Sequence, residues 1–239
     1  FLAPLGVAAG AWQGLAPQAL LLAALSGLFF ALASLGLYRA FAIGPVRLVA
    51  PITGAYPMLS VGLAAAHGNP VGLFAWLGVC AVVAGLALVA RQEEEGGSLP
   101  VRRIEAIGWA VLAAMGYALT FRLAHMAAQQ GAELPVTLVA RLTALAAVGL
   151  GLLARQTALA PALRLWKPLA LMGLLDVAAV TLVISAANLP KPEYASVTSS
   201  LFGMFTILLA WRFLRESMRP LQWLGVLVVF AGIGTLAAA

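Results

Sequence analysis

Apolar residues fill eight long stretches of the chain, and short polar connections rich in turn residues separate them. A run of about 20 apolar residues with few charges is long enough to cross a bilayer as a helix. The pattern therefore predicts an all-α fold, a polytopic membrane bundle with eight spans in the printed chain. The predicted spans are 19–38, 47–66, 71–90, 106–128, 135–154, 168–188, 194–213 and 220–238.

The composition agrees with a membrane protein, because 63% of the residues are hydrophobic and only 9% are charged. A soluble domain is about half apolar and a quarter charged. The single cysteine, Cys80, lies in an apolar run and excludes an intrachain disulfide. The sequence contains no phosphate-binding loop, no zinc-protease or serine-hydrolase motif and no cysteine–histidine metal spacing. We therefore predict no cofactor, no enzymatic activity and no direct use of ATP.

The net charge of +6 is unevenly distributed. With eight spans the connections alternate between the two sides of the membrane, and eleven of the fourteen Lys and Arg residues fall on one side, here called the basic side. The positive-inside rule makes this side cytoplasmic and places both ends of the printed chain outside. The charge is thereby explained by membrane topology, and no nucleic-acid partner is expected.

One ten-residue sequence occurs twice. WLGVCAVVAG at 76–85 and WLGVLVVFAG at 223–232 share seven of ten positions at an offset of 147 residues. The first copy runs toward the basic side and the second runs away from it. Five spans per unit produce such antiparallel copies, and inverted repeats of this kind build transporters with a site near the midplane.

The surrounding residues resemble the EamA-like ten-helix transporters of the drug/metabolite transporter superfamily. A unit of that family ends in a proline-containing helix, a turn that often carries Gly-Glu, and a helix with W-x-G and a later glycine. In APITGAYPMLSVGLAAAHGNPVGLFAWLGVCAVVAG, Pro57 matches the helix proline and Asn69 stands where the turn Glu is often found. In SSLFGMFTILLAWRFLRESMRPLQWLGVLVVFAG, Glu216 matches the turn Glu and the helix proline is absent. ELPVTLVARLTALAAV is similar to the second helix of a unit, with Arg141 at its recurrent arginine.

This resemblance implies a domain organisation. Residues 1–92 would form a first EamA-type repeat, from the end of helix 2 through helix 5, with the first helix missing from the printed chain. Residues 93–104 would be a polar linker, and 105–239 a second repeat with helices 6–10. Family members commonly keep both termini in the cytoplasm, whereas the basic loops favour the reverse, so both orientations stay open.

The resemblance also implies a function. It implies a secondary transporter, an exporter or exchanger of small organic metabolites, in the inner membrane of a bacterium. Amino acids or related compounds are the expected cargo, and alternating access between the inverted repeats is the expected mechanism. The partners would be this small-molecule substrate, the lipid bilayer and protons as a candidate coupling ion.

Ionisable groups inside a span are costly, so they are functional candidates. Asp176 is expected near the midplane as a partner for a substrate ammonium group, as a proton carrier, or as a structural acid. Arg141 is expected to bind a carboxylate or phosphate group, or to brace the helix ends. Arg122 shares a helix face with His125, and both are expected either to line a vestibule or to be structural. Uncharged polar candidates for a cavity lining, or for helix–helix contacts, are Tyr56, Tyr117, Asn188, Ser199 and Ser200.

Other hypotheses remain beside this one. A proton-coupled efflux carrier for hydrophobic cations would need Asp176 but no arginine. An intramembrane enzyme would use Asp176 with His125, although these lie on different spans and no catalytic motif surrounds either. A non-transporting scaffold would need no inverted repeat. In the last loop, Glu216 lies between Arg215 and Arg219, which predicts a loop ion pair of small energetic value.

Overall fold

The computed structural model describes residues 16–66, 72–90, 100–130, 133–156, 164–186, 202–216 and 218–238, and all regular secondary structure in these ranges is α-helical. The predicted all-α fold is therefore confirmed. In chain order the helices are α1 (Pro17–Ile43), α2 (Val46–Gly54), α3 (Tyr56–Ala66), α4 (Leu73–Ala90), α5 (Pro100–Ala128), α6 (Glu133–Ala154), α7 (Trp166–Ala186), α8 (Phe202–Phe213) and α9 (Pro220–Ala238).

Three of the described helices are long and apolar enough to cross a membrane: Pro17–Ile43, Arg102–Ala128 and Pro135–Ala154. At 1.5 Å per residue, these helices match the hydrocarbon core of a bilayer, about 30 Å thick. Three shorter apolar helices are Leu73–Val89, Gly203–Phe213 and Pro220–Leu236. The chain thus forms a helical membrane bundle.

Helices α1 and α5 pack along each other through small residues. The buried positions of α1 are all Ala, Ser or Gly. Small side chains let two helix backbones approach closely, and van der Waals contact then holds the helices together in a membrane. A Cβ added at Gly36 would lie 3.0 Å from the carbonyl oxygen of Trp109 on α5, so this position has no room for a larger residue.

The stretch predicted as one span at 47–66 is divided into α2 and α3, which corrects the expectation of a continuous helix. Ala55 separates the two helices, Pro51 lies inside α2, and Pro57 is the second residue of α3. Proline has no N–H to donate to the preceding turn, and its ring clashes with that turn. The two prolines therefore weaken the helical hydrogen bonding on both sides of Ala55, where the helix is interrupted.

Helices α4 and α9 carry the two copies of the repeated sequence and pack against each other. A Cβ added at Gly85 would lie 2.7 Å from the Gly225 carbonyl oxygen. A Cβ added at Gly232 would lie 2.8 Å from the Gly78 carbonyl oxygen. The glycine at the third position of each copy therefore meets the glycine at the tenth position of the other copy. We call this contact the glycine seam, defined by Gly78, Gly85, Gly225 and Gly232.

The largest apolar core lies between α2, α4, α8 and α9 and includes Val82, Ile207, Val229 and Ile233. Two smaller cores join α1 to α5 and to α6. In contrast, the described side chains of α7 are exposed, and none of the described helices packs extensively on it.

Candidate functional site

Arg141 and Asp176 form an ion pair between two helices. The Arg141 Nη2 atom lies 3.0 Å from the Asp176 Oδ2 atom. Asp176 is the eleventh of 21 residues in α7, and Arg141 is the ninth of 22 residues in α6. The pair therefore lies at about mid-length of both helices, where an isolated charge would cost about 2.5–3.5 kcal/mol on insertion scales. Each charge compensates the other.

The pair is bordered by an aromatic side chain of α1. The Arg141 guanidinium carbon lies 4.6 Å from the centroid of the Phe30 ring. A guanidinium within about 6 Å of a ring face is attracted by the ring quadrupole. Phe30 thus holds Arg141 on one side while Asp176 holds it on another.

Further aromatic rings continue from Phe30 through the bundle. The Phe30 and Tyr117 rings meet edge to face with centroids 6.0 Å apart. Tyr117 and Tyr56 are 6.4 Å apart, and Tyr56 stacks on Phe121 at 5.0 Å. These are the separations of favourable aromatic pairs. Tyr56 is the first residue after the helix break, so the break places its ring in this group.

Tyr117 connects the rings to the charges. Its hydroxyl group lies near the Ser34 side chain on α1 and near both Arg141 and Asp176. Phe30, Tyr56, Tyr117, Phe121, Arg141 and Asp176 together form what we call the aromatic–ion cluster. Its members come from α1, α3, α5, α6 and α7, so the cluster draws on residues before and after the 93–104 segment.

The charged members of the cluster have surface that other protein groups do not cover. The exposed fraction is 34% for the Arg141 side chain and 53% for the Asp176 side chain. The cluster therefore offers one cation, one anion and several ring faces to a ligand. This set can bind a carboxylate, an ammonium group and an apolar body at the same time.

Four of the residues proposed from the sequence come together in this cluster: Asp176, Arg141, Tyr117 and Tyr56. Arg122 is half-buried on α5 and does not belong to it. His125 is exposed, and its Nε2 atom lies 3.0 Å from the Gln129 amide nitrogen. Asn188, Ser199 and Ser200 lie outside the described residues.

Sequence reasoning missed Phe30, Phe121 and Ser34. In a span where most residues are apolar, nothing in the sequence separates a phenylalanine that packs against other rings and charges from one that faces lipid. Ser34 follows Phe30 by four residues and therefore shares its helix face, which is a weak signal.

Within the described part of the chain, no group of three or more His, Cys, Asp or Glu residues is placed to hold a metal ion.

A comparison with protein families matches residues 104–237 to the EamA-like transporter family. The match covers more than half of the chain. The chain belongs to the EamA-like transporter family. This confirms the resemblance inferred from the repeated units, and members of this family are transporters and not enzymes. No curated protein and no solved structure matches the chain.

Within this EamA-like chain the family match begins at residue 104, near the start of α5, and ends at residue 237, in the last turn of α9, and it contains Tyr117, Arg141 and Asp176. The membrane helices and the family together identify a membrane protein of the small-molecule transporter class. Tyr56 and Phe30 of the aromatic–ion cluster lie before the matched segment.

Proposed function

We propose that this protein is a secondary transporter for a small zwitterionic metabolite, an amino acid or a close relative. It would span the bacterial inner membrane several times and act as an exporter or exchanger. Family membership supports the transporter class. The ion pair between Arg141 and Asp176 beside the rings of Phe30 and Tyr117 is the observation that carries the substrate class.

Charge balance favours a zwitterion over a simple cation. A substrate carboxylate can take the place of Asp176 on Arg141, while the substrate ammonium group takes the place of Arg141 on Asp176. Both protein charges then stay compensated in a medium where an uncompensated charge is expensive. Of the described contacts of Arg141, a simple cation bound to Asp176 would leave the ring of Phe30 and no anion.

We assign the ring faces of Tyr56, Tyr117 and Phe121 to the apolar part of the substrate. Aromatic walls with a small number of placed polar groups are typical of small-molecule sites. Arg122 remains a proposed vestibule residue, and Asn188, Ser199 and Ser200 remain proposed lining residues of the substrate cavity.

The proposed mechanism is alternating access between two inverted repeats. The glycine seam supports it, because Gly78 faces Gly232 and Gly85 faces Gly225 across two antiparallel copies of one sequence. A two-fold relation between the halves produces such reciprocal contacts. Related halves that rock about a shared site expose it to each side in turn.

A second candidate function is proton-coupled efflux of hydrophobic cations. The grouping of aromatic rings near Asp176 favours this reading, because ring faces attract cations. The two candidate functions differ in the charged side chains that they require. A cation carrier would need Asp176, whereas Arg141 would be dispensable.

Counterflow in proteoliposomes tests the proposal. Vesicles with the full-length protein are loaded with unlabelled amino acids, and entry of labelled amino acids is followed with and without a pH gradient. We expect entry above that of empty vesicles, and loss of entry in Asp176→Asn. Entry of a labelled lipophilic cation in place of amino acids would favour the second candidate. Absence of entry for both would contradict both.

A further inference from the structure

The loop between α8 and α9 contacts the start of α2 through one carboxylate. The Glu216 Oε1 atom accepts a hydrogen bond from the Val46 backbone N–H at 2.8 Å. The Oε2 atom accepts one from the Arg47 backbone N–H at 3.0 Å. The residues are 170 and 169 positions apart in sequence, so this contact joins two distant parts of the chain.

This contact supplies a cap that α2 lacks locally. The residue before α2 is Pro45, which makes no side-chain cap hydrogen bond. The first N–H groups of a helix have no partner within the helix, and the helix dipole favours negative charge there. A carboxylate that accepts two of these N–H groups forms charge-assisted hydrogen bonds, which are stronger than neutral ones.

The capped helix leads directly to the aromatic–ion cluster. α2 begins at Val46, ends at Gly54 and is followed, after Ala55, by Tyr56. About two turns of helix separate the end of α2 that Glu216 caps from the break at Ala55. Leu48 and Val49 in these turns are buried in the apolar cores. A shift of α2 at Val46 would move the chain that leads into Tyr56, because only Ala55 separates α2 from that residue.

We infer that Glu216 is a positioning residue that clasps the two halves of the chain together on the basic side. Its carboxylate holds α2, and with it Tyr56, in the closed arrangement, and it releases α2 whenever the basic side opens. The release step rests on the proposed transport cycle, whereas the clasp itself does not.

A buried thiol near the break provides the readout. The Thr53 side chain is 3% exposed, and its hydroxyl group has no hydrogen-bond partner among the described residues. Thr53→Cys is close in size and removes no described hydrogen bond. In a Cys80→Ser background, which removes the native exposed thiol, labelling by a water-soluble maleimide reports how often the space around residue 53 opens.

We expect Glu216→Gln to raise the labelling rate of Cys at position 53 about tenfold. The amide keeps one acceptor oxygen and no charge, so the charge-assisted cap of α2 is weakened, and loss of a helix cap shifts such an equilibrium by about a factor of ten. Glu216→Asp keeps the charge on a shorter side chain and should give a smaller increase. Glu105→Gln is the matched control, because Glu105 pairs with the exposed Arg39 at 3.6 Å on the same side and should leave labelling unchanged.

An unchanged labelling rate in Glu216→Gln and Glu216→Asp would overturn the clasp, as would an equal increase in Glu105→Gln. Counterflow in the same variants then separates the clasp from a simple structural cap. A clasp that opens in each cycle predicts a changed turnover rate in Glu216→Gln at equal amounts of folded protein. If labelling rises and no variant or parent transports, the clasp stands and the proposed function fails.

Discussion

Ser26 and Thr120 connect α1 to α5 through buried hydroxyl groups. The Ser26 hydroxyl donates a hydrogen bond to the Thr120 carbonyl oxygen at 3.0 Å. The Thr120 hydroxyl donates to the Gly116 carbonyl oxygen of its own helix at 2.8 Å. Hydrogen bonds between membrane helices contribute about 0.6 kcal/mol on average, because the unfolded chain in the membrane also finds partners. Loss of one such hydrogen bond is therefore expected to change the free energy of unfolding by a small but measurable amount.

We therefore expect Ser26→Ala to lower the free energy of unfolding in detergent by about 0.5–1.5 kcal/mol. Thr143→Ala is a suitable control, because the Thr143 hydroxyl bonds only within its own helix in the described contacts, to the Val139 carbonyl at 2.9 Å. Unfolding in increasing concentrations of denaturing detergent measures the free energy of unfolding of both variants. Equal stability of Ser26→Ala and the parent would show that this interhelical bond contributes nothing.

Charge in an apolar span is visible in a sequence without any knowledge of the fold, and for this reason Asp176 and Arg141 were both predicted as site candidates. Their pairing was not predictable, because they lie on different helices and only packing brings them to 3.0 Å. The same reason applies to Glu216. Its sequence neighbours Arg215 and Arg219 suggested a local ion pair, whereas its described hydrogen bonds reach α2.

At the scale of elements, the glycine seam determines how closely α4 and α9 approach. A Cβ at Gly85 would meet the Gly225 carbonyl oxygen and the Val229 nitrogen, both at 2.7 Å. Backbone atoms cannot move aside as a flexible side chain can. Either the helices separate or the bundle repacks, and both reduce the contact that stabilises helices in a membrane.

We expect Gly85→Ala to destabilise the protein by about 1–3 kcal/mol, the usual cost of overpacking. By the reciprocity of the seam, Gly232→Ala should cost a similar amount, since its Cβ would meet the Gly78 oxygen at 2.8 Å and the Val82 nitrogen at 2.9 Å. Gly108→Ala on α5 has no atom within 4 Å and should be neutral or slightly stabilising. Thermal unfolding of the three variants and of the parent protein measures these differences in stability. A stable Gly85→Ala would show that the two helices are not in close contact.

The repeat was readable from the sequence, and so was the existence of most helices, because both depend on local patterns. The end of the predicted span at 66 agrees with α3, and the predicted start at 220 agrees with α9. The division at Ala55 was less predictable. Pro51 and Pro57 indicate that the helical hydrogen bonding is interrupted near Ala55. The surrounding packing decides whether a membrane helix bends at a proline or breaks there.

At the scale of the whole molecule, the distribution of basic residues predicts which side faces the cytoplasm. α6 separates two exposed turn residues, with Gln130 before it and Gln156 after it. Gln156 lies on the basic side and Gln130 on the other. The positive-inside rule places Gln156 in the cytoplasm, whereas common family topology implies the opposite.

Cysteines at these two positions, in the Cys80→Ser background, decide the orientation. We expect a membrane-impermeant thiol reagent added to intact cells to label Gln130→Cys and to spare Gln156→Cys until the membrane is permeabilised. The reverse pattern would contradict the charge-based orientation. Labelling of both in intact cells would mean that the chain inserts in two orientations.

Binding of a zwitterionic substrate by the Arg141–Asp176 pair is the proposal on which the transport function depends. Its most direct test is counterflow of labelled amino acids in the full-length protein with the double variant Arg141→Gln/Asp176→Asn. The double variant removes both charges together, so no uncompensated charge remains in the membrane and the fold should persist. We predict folded protein, judged by monodisperse elution and thermal unfolding, that exchanges no amino acid above empty vesicles. Exchange at the rate of the parent would show that the pair is only structural and would contradict the claim.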